Sequence, residues 1–196
     1  MEKGYSFLFV RPPGDVIAPN GFPADPRPQP PVGPKVFRDA MDIRIRVFCD
    51  EQNCGLDVEL DEDDPRSWHW VCYHATREGQ LEPIAVVRIV PPPHGPHPNG
   101  FSDPNEEPYV KLGRVATLPE HRGKGISRLL TEKALQWSFE NRHEVSPEWR
   151  GLVLCHGQTS VEKMYQKLGF VTDERLGRWQ EEGIEHLGMW RQLRDS

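Results

Sequence analysis

No stretch of this sequence is apolar for long enough to span a membrane, which takes about 20 residues. The N-terminus lacks a basic segment leading into an apolar run and a cleavage site, so a secretory signal is not expected. Basic residues are outnumbered: 24 Lys and Arg stand against 30 Asp and Glu, a net charge of −6. That balance argues against nucleic acid as a partner and mildly favours cationic ones such as amines. Cysteine is scarce, at positions 49, 54, 72 and 155, with no CxxC pair. The pattern reads as reduced thiols of an intracellular, cytoplasmic protein rather than a disulfide framework. No GxxxxGK[ST] loop, no GxGxxG fingerprint and no internal repeat is present.

Proline, by contrast, is abundant and clustered. Nine of the 20 lie between Pro12 and Pro34, and seven between Pro91 and Pro108. Both segments are expected to be extended loops, because proline removes a donor and restricts its neighbour. The second, 91–108, is read as a mobile surface insertion. Its His94 and His97 have no companions that complete a metal site. His74 and His156, each near a cysteine in sequence, have no zinc-like spacing either, and no metal is expected.

Periodicity places elements between these loops. Strands are expected at 6–12, 68–75, 83–90, 109–118 and 151–156, with two more inside 174–193 joined around Glu181–Gly183. Phe37, Met41, Ile45 and Phe48 recur at helical spacing, which predicts an amphipathic helix over 35–51. Ile126, Leu129, Leu130, Ala134 and Trp137 predict a second, starting near Gly125. Val161, Met164, Tyr165 and Leu168 predict a third, with Thr159 and Glu162 as a capping box and Gly169 as its stop. The order β-α-β-β-β-α-β-α-β-β indicates an α/β fold with a mixed sheet. One domain over 1–196 is expected.

The segment LPEHRGKGISRLL, 118–130, sets two glycines and basic side chains between a strand and a helix. Glycine lets backbone approach a ligand, and a helix start aims unsatisfied N–H groups at an anion. A phosphate cradle is one reading; a Gly-rich turn with solvated Arg122, Lys124 and Arg128 is the other.

The surroundings favour the cradle. RGKGIS resembles the [QR]xxGx[GA] pyrophosphate loop of the GNAT superfamily of acyl-CoA-dependent N-acyltransferases at Arg122 and Gly125, with Ser127 where Gly or Ala is usual. MYQKLGF, 164–170, resembles that family's Y-x-K-x-GF segment. IRIRVFCDEQNCGLDVELDEDDPRSWH, GQTSVEKMYQKLGF and EEGIEHLGM are similar to segments of its ElaA/YjcF-like branch, with Glu185 where that branch has Pro.

The resemblance implies a single GNAT fold: a mixed, mostly antiparallel twisted sheet with flanking helices and a splay between the fourth and fifth strands. It implies acetyl-CoA as cosubstrate and an amine as acceptor, the acetyl group moving by direct attack in a ternary complex. It assigns CoA binding to Val115, Ala116, Thr117, Arg122, Gly123, Lys124, Gly125, Ile126 and Ser127, with Tyr165 near the CoA sulfur. A phenol can protonate a departing thiolate; packing in the core is the alternative for Tyr165. For the acceptor side, His186 and Glu59 rank first, ahead of Asp61 and His69. The run DVELDEDD, 57–64, with six acids in eight residues, reads as a solvated loop or an ammonium-binding rim. Arg44, Arg88 and Arg114 lie within apolar elements and need carboxylates, for which Glu51, Glu59 and Asp61 are the candidates. A small amine leads as acceptor, with an amino-sugar phosphate or a protein lysine or N-terminus as alternatives. A CoA-binding module without turnover remains the competing class, and a homodimer is left open.

Overall fold

The computed structural model describes residues 4–26 and 32–195; part of the first proline-rich loop, 27–31, lies outside the described residues. The strands are β1 (Tyr5–Val10), β2 (Trp68–Ala75), β3 (Leu81–Val90), β4 (Tyr109–Thr117), β5 (Leu152–Gln158), β6 (Val171–Thr172), β7 (Arg178–Glu181) and β8 (Ile184–Gln192). They form a mixed, mostly antiparallel sheet in the order β1-β2-β3-β4-β5-β8-β6, with β7 beside β8. The helices are α1 (Lys35–Arg44), α2 (Ile126–Glu140), the single turn α3 (Arg142–Val145) and α4 (Glu162–Lys167). The expected order is therefore present, with α3 and β6 added.

The chain forms two compact units. One comprises the described residues up to Arg88 together with Arg114–Ala134. In it, β1 pairs antiparallel with β2, from Tyr5 opposite His74 to Val10 opposite His69. Ala40, Ile43 and Val47 pack with Val71, Tyr73, Val86, Ala116 and Leu118. The apolar stripe of α1 continues through a π-helical stretch, Ile45–Glu51, so that Gln52 N–H donates to Val47 O rather than to a residue four back. On the other side of α1, Phe37 and Met41 meet Ile17 and Leu60.

The other unit comprises Ile89–Gly113 and the described residues from Leu135 on. It holds the parallel pair: Tyr109–Leu112 against Leu152–Cys155. β5 also pairs antiparallel with β8 along its whole length, ending with Gln158 opposite His186. The β7–β8 turn is at Glu182 and Gly183, both left-handed, as a tight hairpin requires.

The 91–108 insertion lies at the surface, with none of its residues fully buried, but it does not stand clear of the fold. His94 stacks on Tyr109 at 4.4 Å and its Nε2 bonds the Tyr109 carbonyl. The His97 side chain, 6% exposed, bonds Glu106 and meets Tyr109 and Trp190. Asn99 donates to the carbonyls of Leu176 and Arg178. One expectation is corrected here: the capping box of Thr159 and Glu162 does not form. Val161 is the N-cap, and the Glu162 carboxylate accepts from Thr172 instead. The stop at Gly169 is as expected, with Phe170 N–H on Tyr165 O and Gly169 N–H on Gln166 O.

Candidate functional site

The 118–130 segment runs from a strand through a tight turn into a helix. β4 ends at Thr117, a 3-10 turn spans Pro119–His121, and α2 begins at Ile126. Gly123 and Gly125 are left-handed, at φ 73° and 75°, and a β-carbon on either would meet nothing within 4 Å. The space over both glycines is therefore open, and backbone conformation rather than packing calls for them. The Gly125 carbonyl accepts from Leu129 N–H, which makes Gly125 the first anchor of α2. The N–H groups of the next residues, Ile126 and Ser127 among them, lack a carbonyl one turn back and carry the positive end of the helix dipole.

The side chains brace this loop. Arg122 donates through Nε to the Thr117 carbonyl at 2.9 Å, and through both terminal nitrogens to Glu51, at 2.7 and 2.6 Å. That bidentate bond holds the Glu51 carboxyl below its ordinary range. Glu51 thus belongs to Arg122, not to the buried arginines. Lys124 Nζ bonds the Glu120 carbonyl. The Thr117 and Ser127 hydroxyls share a 2.7 Å hydrogen bond, tying the end of β4 to the start of α2. Serine at 127 has this reason to be there, where Gly or Ala would offer no such tie.

The acidic run 57–64 is neither a plain solvated loop nor an open rim. Asp57 and Glu62 are exposed, but Glu59 and Asp64 are buried. Arg44, completely buried, donates Nε to Glu59 Oε1 at 2.5 Å and a forked pair to Asp64 at 2.7 and 3.0 Å, and also reaches the Glu59 carbonyl. Arg88 bonds Asp61 and Asp64 at 2.6 and 2.8 Å. Arg114 bonds Asp61 at 2.9 Å and stands 3.4 Å from Glu59. Burial alone would raise the Asp64 carboxyl; the charges of Arg44 and Arg88 outweigh it and hold it well below its ordinary value. Glu59 and Asp61 therefore sit in structural ion pairs. Asp64, the hub of the network, was not singled out from the sequence.

His69 is a packed histidine: fully buried, edge-on to Phe37 at 4.9 Å, with Nε2 on the Asp64 carbonyl. Burial pushes it down to about 4.

In the second unit, Tyr165 on α4 is 5% exposed. Its ring lies over Gly157 of β5, and its hydroxyl is electrostatically coupled to the Cys155 thiol. Burial pushes both groups up, the thiol to about 12 and the phenol well above 10. Cys155 and Gly157 are neighbours that sequence reasoning missed; an isolated glycine inside a strand was the available signal. His186 on β8 bonds the Ile184 carbonyl through Nδ1 at 2.9 Å and stacks on Trp179 at 6.3 Å. A carbonyl can only accept, so Nδ1 is the donor in this bond. His156 packs edge-on to Trp179 at 4.8 Å, and burial pushes it down to about 3.

A model of the acetyltransferase (GNAT) family matches residues 37–170, well over half of the sequence. The chain belongs to the acetyltransferase (GNAT) family. It is 27% identical to the uncharacterized N-acetyltransferase YjcF of Bacillus subtilis, over 78% of this chain and 90% of that one. An acyl-CoA N-acyltransferase from Pseudomonas aeruginosa superposes with a TM-score of 0.57 at 27% identity, over 79% of this chain and 89% of that one. Escherichia coli ElaA shares the fold, with a TM-score of 0.61 at 20% identity over 96% of this chain and 99% of that one. The resemblance to the ElaA/YjcF-like branch is thus borne out, and as a GNAT protein this chain is an acyl-CoA-dependent acyltransferase. No group of three or more His, Cys, Asp or Glu among the described residues is placed to hold a metal ion.

Proposed function

We propose that the protein transfers an acetyl group from acetyl-CoA to a primary amine, with a small amine as acceptor, and that 1–196 acts as one acyltransferase domain. The carrying observation is the open, left-handed glycine loop at the start of α2. In this reading, the N–H groups from Arg122 to Ser127, with Gly123, Lys124, Gly125 and Ile126 between, hold the CoA pyrophosphate. Val115, Ala116 and Thr117 offer backbone N–H groups to pantetheine and to the thioester carbonyl, where negative charge develops. The amine nitrogen attacks that carbonyl carbon, the C–N bond forms and the C–S bond breaks. Tyr165, whose burial keeps its proton on at neutral pH, delivers it to the departing thiolate. His186 takes the amine proton at Nε2, the ring held by Ile184. Glu59 is held in the arginine network and does not take a proton itself. The acceptor is recognised as an amine without a free acidic rim, since Glu59 and Asp61 are already paired.

Tyr165→Phe tests the reading. It keeps the ring on Gly157 and removes the acid, so turnover with acetyl-CoA and an amine panel should fall about 10²-fold or more, with a smaller change in KM for acetyl-CoA. Undiminished turnover from pH 6 to 9 would refute the acid role. Binding of acetyl-CoA with no acyl transfer by the unaltered protein to any amine would favour a CoA-binding module.

A further inference from the structure

Arg114 lies inside β4 with φ at 49°, in the left-handed region that strand residues do not occupy. Glycine would take this conformation freely, and Gly113 is next to it, yet the arginine adopts it. What holds it there is side-chain chemistry. Nη2 donates to Asp61 Oδ2 at 2.9 Å and to the Val58 carbonyl at 3.4 Å, and Nε stands 3.4 Å from Glu59 Oε1. Those carboxylates are themselves fixed. Asp61 accepts from Arg88 at 2.6 Å, and Glu59 accepts from Arg44 at 2.5 Å. The side chain of Arg44 is wholly buried and that of Arg88 is 6% exposed, so the anchors cannot drift. Immediately after Arg114 come Val115, Ala116 and Thr117, and the direction of their N–H groups depends on the backbone angle one residue earlier.

We propose that Arg114 is a positioning residue: its ion pairs with Asp61 and Glu59 hold the left-handed bend of β4 and so aim the N–H groups of Val115, Ala116 and Thr117. The proposal rests on the reading of those three residues as the thioester-binding stretch. It explains why two further arginines, Arg44 and Arg88, and three carboxylates share one network with Arg114. A network serving stability alone has no need to end on a residue of disfavoured backbone conformation.

Two measurements test it. The first needs no ligand. Asp61→Asn cuts the tether and should raise amide hydrogen exchange at residues 115–117 by roughly 10-fold. The comparison is Asp39→Asn, which removes a carboxylate charge that Tyr73 and Lys35 donate to in the same unit without touching Arg114. No excess over that control overturns the proposal. The second uses calorimetry with acetyl-CoA and with CoA. Arg114→Ala removes the tether and disfavours the bend, so acetyl-CoA affinity should fall about 10-fold while CoA affinity holds. Arg114→Gly removes the tether but tolerates the bend, and should recover acetyl-CoA affinity to within about 3-fold of the unaltered protein. Equal losses in both variants would assign Arg114 to charge or ligand contact, and no loss in either would assign it to neither; both results overturn the proposal. If the unaltered protein binds acetyl-CoA no better than CoA, the thioester reading of 115–117 fails, and the exchange measurement still decides the tether.

Discussion

The ring of Tyr165 is seated on Gly157: a β-carbon at 157 would come within 2.9 Å of its Cε2 and 3.1 Å of its Cδ2. The contact joins α4 to β5 and, through the hydroxyl, to Cys155 two residues back on the same strand. A phenol proposed to deliver a proton thus owes its position to a missing side chain.

Gly157→Ala should therefore act through Tyr165. Interior overpacking typically costs about 1–3 kcal/mol, and the ring has to shift off β5. Turnover should fall by about 10-fold or more as the hydroxyl is displaced, while CoA affinity, which the proposed function assigns to the 122–127 loop, should be unchanged. Cys155→Ala is the companion variant, since it removes the thiol and leaves the ring seated. Retained turnover in Gly157→Ala, with the ring demonstrably moved, would remove Tyr165 from the chemistry.

The cradle is tested at Gly125. Its φ of 75° strains any β-branched residue, and its β-carbon position opens to space rather than to protein. Gly125→Val should weaken CoA binding by roughly 10-fold or more, because a branched side chain then stands where backbone must touch phosphate. The strain should cost about 1–2 kcal/mol of stability. Unchanged CoA affinity in a folded variant, measured by calorimetry, would reassign the loop to a plain helix start.

Much of this was legible before the fold was known. Trp68–Ala75 has the same bounds in sequence and structure, because β-branched and aromatic residues there are bounded by turn residues on both sides. The 118–130 loop was legible because glycine, charge and helix start are adjacent in sequence. What could not be read is what depends on partners far away. His97 and Phe101 look like loop residues until Tyr109 and Trp190 are placed beside them. Glu162 has a capping partner by spacing, but Thr172 competes for it through a bond that spacing cannot show. The acidic run looked solvated because its arginines sit 15 to 53 residues away from their carboxylates.

Acid stability should carry the signature of two neutral histidines, His69 buried and His156 half-buried. Folding pushes His69 down to about 4 and His156 to about 3, whereas both titrate near 6.5 when unfolded. Between those limits the unfolded chain binds more protons, so stability falls as pH falls. The full contribution is present above about pH 6.5, and each histidine then costs up to about 1.4 kcal/mol per pH unit on the way down. The depressed Asp61 and Asp64 carboxyls add their own loss only below about pH 4. Thermal unfolding should show Tm dropping steadily from pH 6.5 to 4.5, and His156→Gln should flatten that slope. Equal Tm at both ends would mean that the two rings are not held in their neutral form.

The last prediction concerns Arg44, the fully buried centre of the ion network. It makes three side-chain bonds to carboxylates, one to Glu59 and two to Asp64, and it reaches the Glu59 carbonyl as well. Arg44→Met fits the volume but leaves Glu59 buried without its nearest cation, and leaves the Asp64 carboxylate with Arg88 and the Asp61 N–H. Removing one partner of a buried pair costs about 3–5 kcal/mol, most of it from the stranded charge. For a protein of this size that corresponds to a Tm lower by roughly 6–20 °C. Lys35→Met is the contrast, because it removes a pair whose lysine side chain is 68% exposed and should cost less than about 1 kcal/mol. Arg44→Lys should recover only part of the loss: an ammonium is a point charge and cannot reproduce the fork on Asp64 together with the bond to Glu59. Since Glu59 also faces Arg114, the same variant should loosen the bend in β4 and lower acetyl-CoA affinity at temperatures where the protein is still folded. An Arg44→Met variant that melts like Lys35→Met would show that the network contributes no more than a surface pair, and would take away the rigid frame on which the placement of Val115, Ala116 and Thr117 depends.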